Sequence, residues 1–182
     1  MRAIESDDIP LLARWKNDPE IVSYFYEYVP IPIRTQEEWF ERQRLDKSEL
    51  NLIAETHNGA PIGTGSLMYI DFRNRTAEMG RVLIGAKPKR NSGLGIEIAV
   101  LLCEYAFDQL NLNKVYGDTF ATNTRAVRMY ASLGFSKEGV LRQHIFSRGK
   151  YVDLVQLSLL RDEFQRCRNG EPTRRIYQRC LR

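Results

Sequence analysis

Apolar positions recur along the chain with two periods, and each change of period marks a change of element. Residues 1–4 read as a short strand. The polar run Glu5-Ser6-Asp7-Asp8 then supplies capping groups, and Pro10 is tolerated in the first turn of a helix. Leu11, Leu12 and Trp15 form the apolar stripe of that helix. Asp18-Pro19 opens a second short helix holding Ile21 and Val22. Residues 24–32 are aromatic and interrupted by Pro30 and Pro32, so they predict a loop packed over a cleft. Tyr26, Glu27 and Tyr28 are its candidate substrate-wall residues. Thr35 followed by Glu38 reads as a capping box for a helix lined by Trp39, Phe40 and Leu45.

From Leu50 the period changes to that of strands. Residues 50–55, 61–70 and 76–84 predict an antiparallel meander, with Asn58-Gly59 as the hairpin turn between the first two. Residues 95–110 are apolar around most of a helical circumference, which requires a helix lying deep against a sheet. Residues 114–119 then form a strand parallel to its predecessor, by the strand–helix–strand rule. A helix capped at Asn123 runs to Leu133 and stops at Gly134. Two last strands, 139–146 and 152–159, are joined by a turn at 147–150. The expected fold is α/β, with a mixed, mostly antiparallel central sheet flanked by helices. One domain over 1–164 is followed by an Arg-rich tail over 165–182. That tail is expected to be dispensable for chemistry and is open to a subunit contact, as in a homodimer.

Composition narrows the class. The chain has 182 residues, 43% hydrophobic and 27% charged, ordinary for one globular domain. No apolar run reaches membrane-spanning length, and the first residues lack the apolar core of a signal peptide, so a cytoplasmic protein without membrane contact is expected. Three widely spaced cysteines and two histidines indicate neither a disulfide framework nor a metal site. The net charge of +4 resides in the segment from Arg161 onward, where seven arginines face three acids. A near-neutral body with a basic end does not describe a nucleic-acid-binding face.

Candidate chemistry begins at Gly80 to Leu110. Val82, Leu83 and Ile84 end a buried strand, residues 87–92 form a polar loop, and Gly93-Leu94-Gly95 opens the long helix. Glycine permits close backbone approach and positive φ, and the first N–H groups of a helix have no internal partner. Lys89 and Arg90 add charge. This is an anion site fit for a pyrophosphate, formed by Arg90, Asn91, Ser92, Gly93, Leu94 and Gly95. It is not a Walker loop, which needs Gly-Lys-Ser/Thr, nor a dinucleotide fingerprint, because Ile98 stands where the third small residue belongs.

Further along, Asn123 and Tyr130 lie seven residues apart, two turns of one helix, and so share a face. The run Asn123-x-x-Ala126-x-x-x-Tyr130-x-x-x-Gly134-Phe135, taken with Arg90-x-x-Gly93-x-Gly95, resembles the GNAT superfamily of acetyl-CoA-dependent N-acetyltransferases. The resemblance covers roughly residues 2–164. Glu138-Gly139-Val140-Leu141-Arg142 and Gly149-Lys150-Tyr151-Val152-Asp153 resemble its branch of spermidine, amino-sugar and ribosomal-protein alanine acetyltransferases. Asn91 stands where that family often has an extra glycine, so a stiffer or differently shaped loop is expected.

The resemblance implies a GNAT fold with a strand–glycine loop–helix acetyl-CoA site. It implies Asn123 beside the pantetheine arm and Tyr130 beside the thioester sulfur, as the acid that protonates the leaving thiolate. Direct attack by an amine is also implied. At pH 7 a lysine-like amine is neutral in roughly one part in 2,500, so a base should help. Glu78 is the candidate, on a strand whose alternation sets Thr76, Glu78 and Gly80 against Ala77, Met79 and Arg81. A structural ion pair with Arg73, Arg75 or Arg81 is the competing use of Glu78. The acceptor is expected to be a small primary amine such as an amino sugar. A protein N-terminus is the runner-up, and a silent acyl-CoA sensor is the alternative of another class. A polyamine is not favoured, because residues 24–32 carry one carboxylate, Glu27.

Overall fold

The computed structural model describes residues 1–26, 29–170 and 173–180. Glu27 and Tyr28, two of the expected substrate-wall residues, lie outside the described residues. Seven strands form one sheet in the order β1 (Arg2–Ala3), β2 (Leu50–Glu55), β3 (Pro61–Asp71), β4 (Thr76–Ile84), β5 (Lys114–Phe120), β7 (Lys150–Leu160) and β6 (Ser136–Ser147). Every pairing is antiparallel except β4 with β5. The helix between those two strands crosses over as expected for a parallel pair. It is α4 in a series that runs α1 (Ile9–Lys16), α2 (Pro19–Val22), α3 (Ile33–Gln43), α4 (Leu94–Glu104), α5 (Thr124–Ser132), α6 (Arg161–Asn169) and α7 (Arg174–Cys180).

The two faces of the sheet are covered differently. On one face α4 buries Ile98, Ala99, Leu102 and Cys103 against Leu67, Ala77, Met79 and Val115 in the main core. On the other, α1 and α3 cover only the β1 to β4 side, where Ile9, Leu12 and Trp15 meet Ile53 and Leu83. The near-continuous apolar circumference of α4 is thus explained by its burial. Its last turn widens into a π turn over Tyr105–Gln109.

Three local expectations change. Helix α3 starts at Ile33, with Pro32 as its N-cap, and the Gln36 amide donates to the Pro32 carbonyl at 3.2 Å. Thr35 is therefore inside the helix and does not cap it. Proline wins because its fixed φ presets an entry that the capping-box pattern places later. Leu45 lies beyond the helix and is 85% exposed, so it lines no core. Third, the segment expected as a tail contains the rest of α6 and all of α7. Tyr177 is fully buried in the main core, its ring 5.5 Å from that of Phe164. Its hydroxyl donates to the Leu133 carbonyl at 2.9 Å.

That packing carries a prediction. Tyr177→Ala should destabilise the protein by about 3–5 kcal/mol, the usual cost of emptying a buried aromatic site. Truncation after Phe164 should leave a chain without a cooperative melt. Thermal denaturation of both variants checks this, and an unchanged transition in the truncation would restore the tail reading.

Candidate active site

The site begins where the sheet parts. Strands β4 and β5 pair only at Thr76–Lys114, Ala77–Val115 and Glu78–Tyr116. Beyond that, β4 stays with β3 as far as Ile84, and β5 stays with β7 as far as Phe120. The two halves diverge, leaving the edge of β4 from Met79 onward without a strand partner on that side. A register shift opposite Gly65, with Arg81 at φ 52°, marks a bulge in β4. A bulge inserts one residue, bends the strand and reverses which residues face which side. Leu83 accordingly joins the α1 cluster while Val82 and Ile84 pack on the main core. Arg81, expected opposite Glu78, instead shares its face and donates to Glu49 at 2.5 Å and Asn51 at 3.0 Å. Period-2 counting could not see the insertion.

Tyr130 bridges the split. It is 4% exposed, and its hydroxyl donates to the Met79 carbonyl at 3.1 Å, an acceptor on the free edge of β4. Gly117 makes room for it. A Cβ there would lie 2.5 Å from the Tyr130 oxygen and 2.8 Å from the Met79 oxygen, closer than packing allows. Burial, with Asp118 and Glu78 adding to it, raises the Tyr130 pKa, so the phenol keeps its proton at any working pH. Asn123 caps α5, its side-chain oxygen accepting from the Ala126 amide at 3.2 Å and its amide nitrogen donating to Thr119 at 3.2 Å.

At the open end of the split lies the glycine loop. Gly93, at φ 87°, is the N-cap of α4, and Asn91 also has positive φ, 63°. Asparagine is among the few residues that visit this region readily, so it makes the left-handed step where the family often uses glycine. Among the described residues, the N–H groups at 91–95 have no backbone acceptor. The first that does is Ile96, donating to the Gly93 carbonyl at 2.9 Å. A Cβ built on Gly95 meets nothing within 4 Å, so the mouth is open. Ser92 folds back on the Lys89 carbonyl at 2.5 Å, and Arg125 of α5 donates to Asn91, joining the two helix starts. Arg90 departs from expectation. Its guanidinium donates to the Ile84 and Gly85 carbonyls, each at 3.1 Å, and pairs with Asp18 at 3.0 Å and Glu20 at 2.5 Å. It ties the loop to the start of α2 and does not offer its charge to an anion, because Asp18, the N-cap, and Glu20 already take it.

Glu78, half-buried, pairs with Tyr116 in the last β4–β5 pair, and Asp118 follows two residues further along β5. Among the described residues Glu78 has no ion pair. Arg81 goes to Glu49, and Arg75 donates to the Asn111 carbonyl at 2.8 Å. Burial first, then the negative charge of Asp118, pushes the Glu78 carboxyl up to about 7, against a lowering by Arg81. Tyr26 reaches across from the residues that follow α2. Its hydroxyl donates to Asp118, and its ring meets Phe120 edge-on with centroids 5.1 Å apart. Asp118 went unnoticed in the sequence, although the alternation Lys114, Tyr116, Asp118 against Val115, Gly117, Thr119 could have placed it beside Glu78. Phe25, Val29 and Ile31 border a cavity of about 40 Å³, walled also by α1, α3 and β2–β4.

The raised Glu78 pKa has a stability consequence. The folded state holds the proton between pH 4.5 and about 7, where the unfolded chain has lost it, so this group makes the protein less stable as pH rises through that window. Glu78→Gln mimics the protonated form. It should raise Tm at pH 8 and leave it nearly unchanged near pH 4, measured by thermal melts at both values.

These features coincide with a known family. A family model for an acetyltransferase (GNAT) domain matches residues 1–136, and the chain belongs to that family. It is 27% identical to spermidine N(1)-acetyltransferase of Vibrio cholerae over 164 residues, covering 90% of this chain and 94% of that protein. It is 30% identical to an uncharacterized prophage-derived N-acetyltransferase of Bacillus subtilis over 166 residues, 91% of each chain. The structure of the Vibrio cholerae enzyme in complex with CoA and spermine superposes with a TM-score of 0.85 at 27% identity, covering 90% of this chain and 96% of that one. The protein is therefore an acyltransferase of the GNAT class that uses acetyl-CoA, in the mixed α/β fold of that family. Among the described residues no helix is long and apolar enough to cross a membrane. No group of three or more His, Cys, Asp or Glu could hold a metal there.

Proposed function

We propose that the protein transfers an acetyl group from acetyl-CoA to the primary amine of a small molecule, at the split between β4 and β5. The observation that carries this reading is the parted sheet itself, with a protonated phenol inside it and a base near neutrality on its rim. The amides of 91–95 suit the pyrophosphate, where a helix start favours an anion. The free edge of β4 at Val82, Leu83 and Ile84 and the side chain of Asn123 suit the amide-bearing pantetheine arm. Acetyl-CoA supplies the acetyl group as an activated thioester. Glu78, half ionised near pH 7, accepts the proton that the attacking ammonium must lose, directly or through water. Tyr130 turns its proton from the Met79 carbonyl to the departing sulfur as the C–S bond breaks, and the second proton that the nitrogen sheds on becoming an amide restores the phenol. Tyr26 donates to Asp118 across the site, and Glu27 and Tyr28, next in the sequence, are proposed as further acceptor contacts.

A protein N-terminus is the second reading. It draws on a putative ribosomal N-acetyltransferase of Bacillus subtilis, 32% identical over 109 residues, 60% of this chain and 58% of that protein. A silent sensor has less support, because binding alone needs neither Tyr130 nor an elevated Glu78. Release of free thiol from acetyl-CoA over small amines and N-terminal peptides separates the three. Small amines should be acetylated. Preference for peptides supports the second reading, and acetyl-CoA binding without amine-dependent release supports the third.

A further inference from the structure

The groups around the parted strands are sorted by face. Ala77, Met79 and Val115 pack in the main core on the α4 side, and Tyr130 belongs to the same cluster. Alternation along β4 and β5 turns Glu78, Tyr116 and Asp118 to the opposite face. Gly117, between the last two, leaves room for the Tyr130 hydroxyl. The phenol therefore reaches the split from one face, and two carboxylates stand at it on the other. Asp118 is also held from a third segment. The Tyr26 hydroxyl donates to its Oδ1, and the Tyr26 ring packs on Phe120, two residues along β5. A carboxylate accepts at about four lone-pair sites, so this bond leaves Asp118 able to take further donors.

We propose that, within the acetyl-transfer reading above, Asp118 binds the acceptor: it takes an N–H of the incoming ammonium at the split while Glu78 takes the proton, and Tyr26 orients it. An ammonium brings three donors and a full positive charge. An oriented carboxylate receives it with the strong, charge-assisted form of hydrogen bond. The surroundings of the two carboxylates differ, which divides the work. Asp118 has a hydroxyl donating to it. Glu78 has burial and the charge of Asp118 against its ionisation, and sits at about 7. Among the described residues, the other charges acting on Glu78 are Arg81 and Glu49. The phenols of Tyr26, Tyr116 and Tyr130 feel its charge, and Tyr69 of β3 acts on Tyr116. The protons balance. Glu78 removes one from the ammonium, and the nitrogen forms the C–N bond to the thioester carbon. The C–S bond breaks, sulfur takes the Tyr130 proton, and the second nitrogen proton restores the phenol.

The test measures kcat/KM against pH, the KM for the amine and CoA affinity in wild type, Asp118→Asn and Tyr26→Phe. The acceptor is whichever of n-butylamine, glucosamine, spermidine and an N-terminal peptide the wild type uses best, at saturating acetyl-CoA. Asp118→Asn should raise the KM for that amine by about tenfold or more, the worth of one hydrogen bond to a charged group, and leave CoA affinity unchanged. It also removes the negative charge that opposes ionisation of Glu78. The acid limb of kcat/KM, which reports the free protein, should therefore move to lower pH by about half a unit or more. Loss of a merely structural contact does not move that limb. Tyr26→Phe keeps the ring on Phe120 and releases Asp118, so KM should rise by about threefold or more with the limb in place. An unchanged KM, or a limb that stays or moves up, in folded Asp118→Asn overturns the role of Asp118 alone. Asp118→Ser carries the same test if the asparagine variant does not fold. An unchanged KM in Tyr26→Phe overturns orientation by Tyr26. If no amine is acetylated by the wild type although acetyl-CoA binds, the acetyl-transfer reading fails, and this proposal falls with it.

Discussion

Tyr130→Phe is expected to lower kcat by roughly 10²–10⁴-fold, the usual size of a general-acid effect, with CoA affinity almost unchanged. The hydroxyl serves a charge that develops on sulfur only as the C–S bond breaks, so its loss falls on the transition state and not on binding. The ring stays in place, since phenylalanine keeps the edge contact with Phe135, whose centroid is 5.0 Å away. The Met79 carbonyl loses its donor, which costs about 1–3 kcal/mol of stability if no water replaces it. Kinetics and a thermal melt on one variant therefore separate the roles. A lower Tm with kcat within about threefold of wild type, chemistry being rate-limiting, would assign Tyr130 to the structural bridge alone.

Gly93→Val is expected to weaken CoA binding by roughly 10²-fold or more. At φ 87° a β-branched residue is a steric outlier, so the loop must leave its left-handed turn. The amides at 91–95 then lose their common direction. Each charge-assisted hydrogen bond to a phosphate is worth about 1.5–3 kcal/mol, so losing one or two suffices for that factor. Calorimetry on the folded variant checks it, and wild-type affinity would move the pyrophosphate elsewhere.

Most of the fold was legible because its signals are local. Asn58-Gly59 fixed one hairpin, and the apolar circumference of residues 95–110 required a buried crossover helix. Asn123 was readable as a cap and is one. The features that escaped are set by distant partners. Arg90 looks like an anion ligand until Asp18 and Glu20, 72 and 70 positions earlier in the chain, are seen to take it. The bulge at Arg81 leaves no mark in the hydrophobic pattern, yet it reverses the facing of Leu83 and brings Arg81 onto the face of Glu78. The 165–182 segment has weak apolar periodicity, because α7 contributes one deeply buried ring, Tyr177, and one residue, however well packed, does not make a stripe. In the candidate site, the motifs drew attention to the glycine loop and Tyr130, whereas Asp118 and its contact with Tyr26 depend on where two segments meet.

The central claim is that CoA lies along the split, with its pyrophosphate on the start of α4. Backbone amide exchange with and without CoA measures this directly. The free amides at 91–95 should exchange fast in the unliganded protein and slow markedly on adding CoA, together with the amides of Val82, Leu83 and Ile84 on the edge of β4. Binding of CoA that leaves 91–95 unprotected, or that protects the β6–β7 side of the sheet instead, would contradict the account.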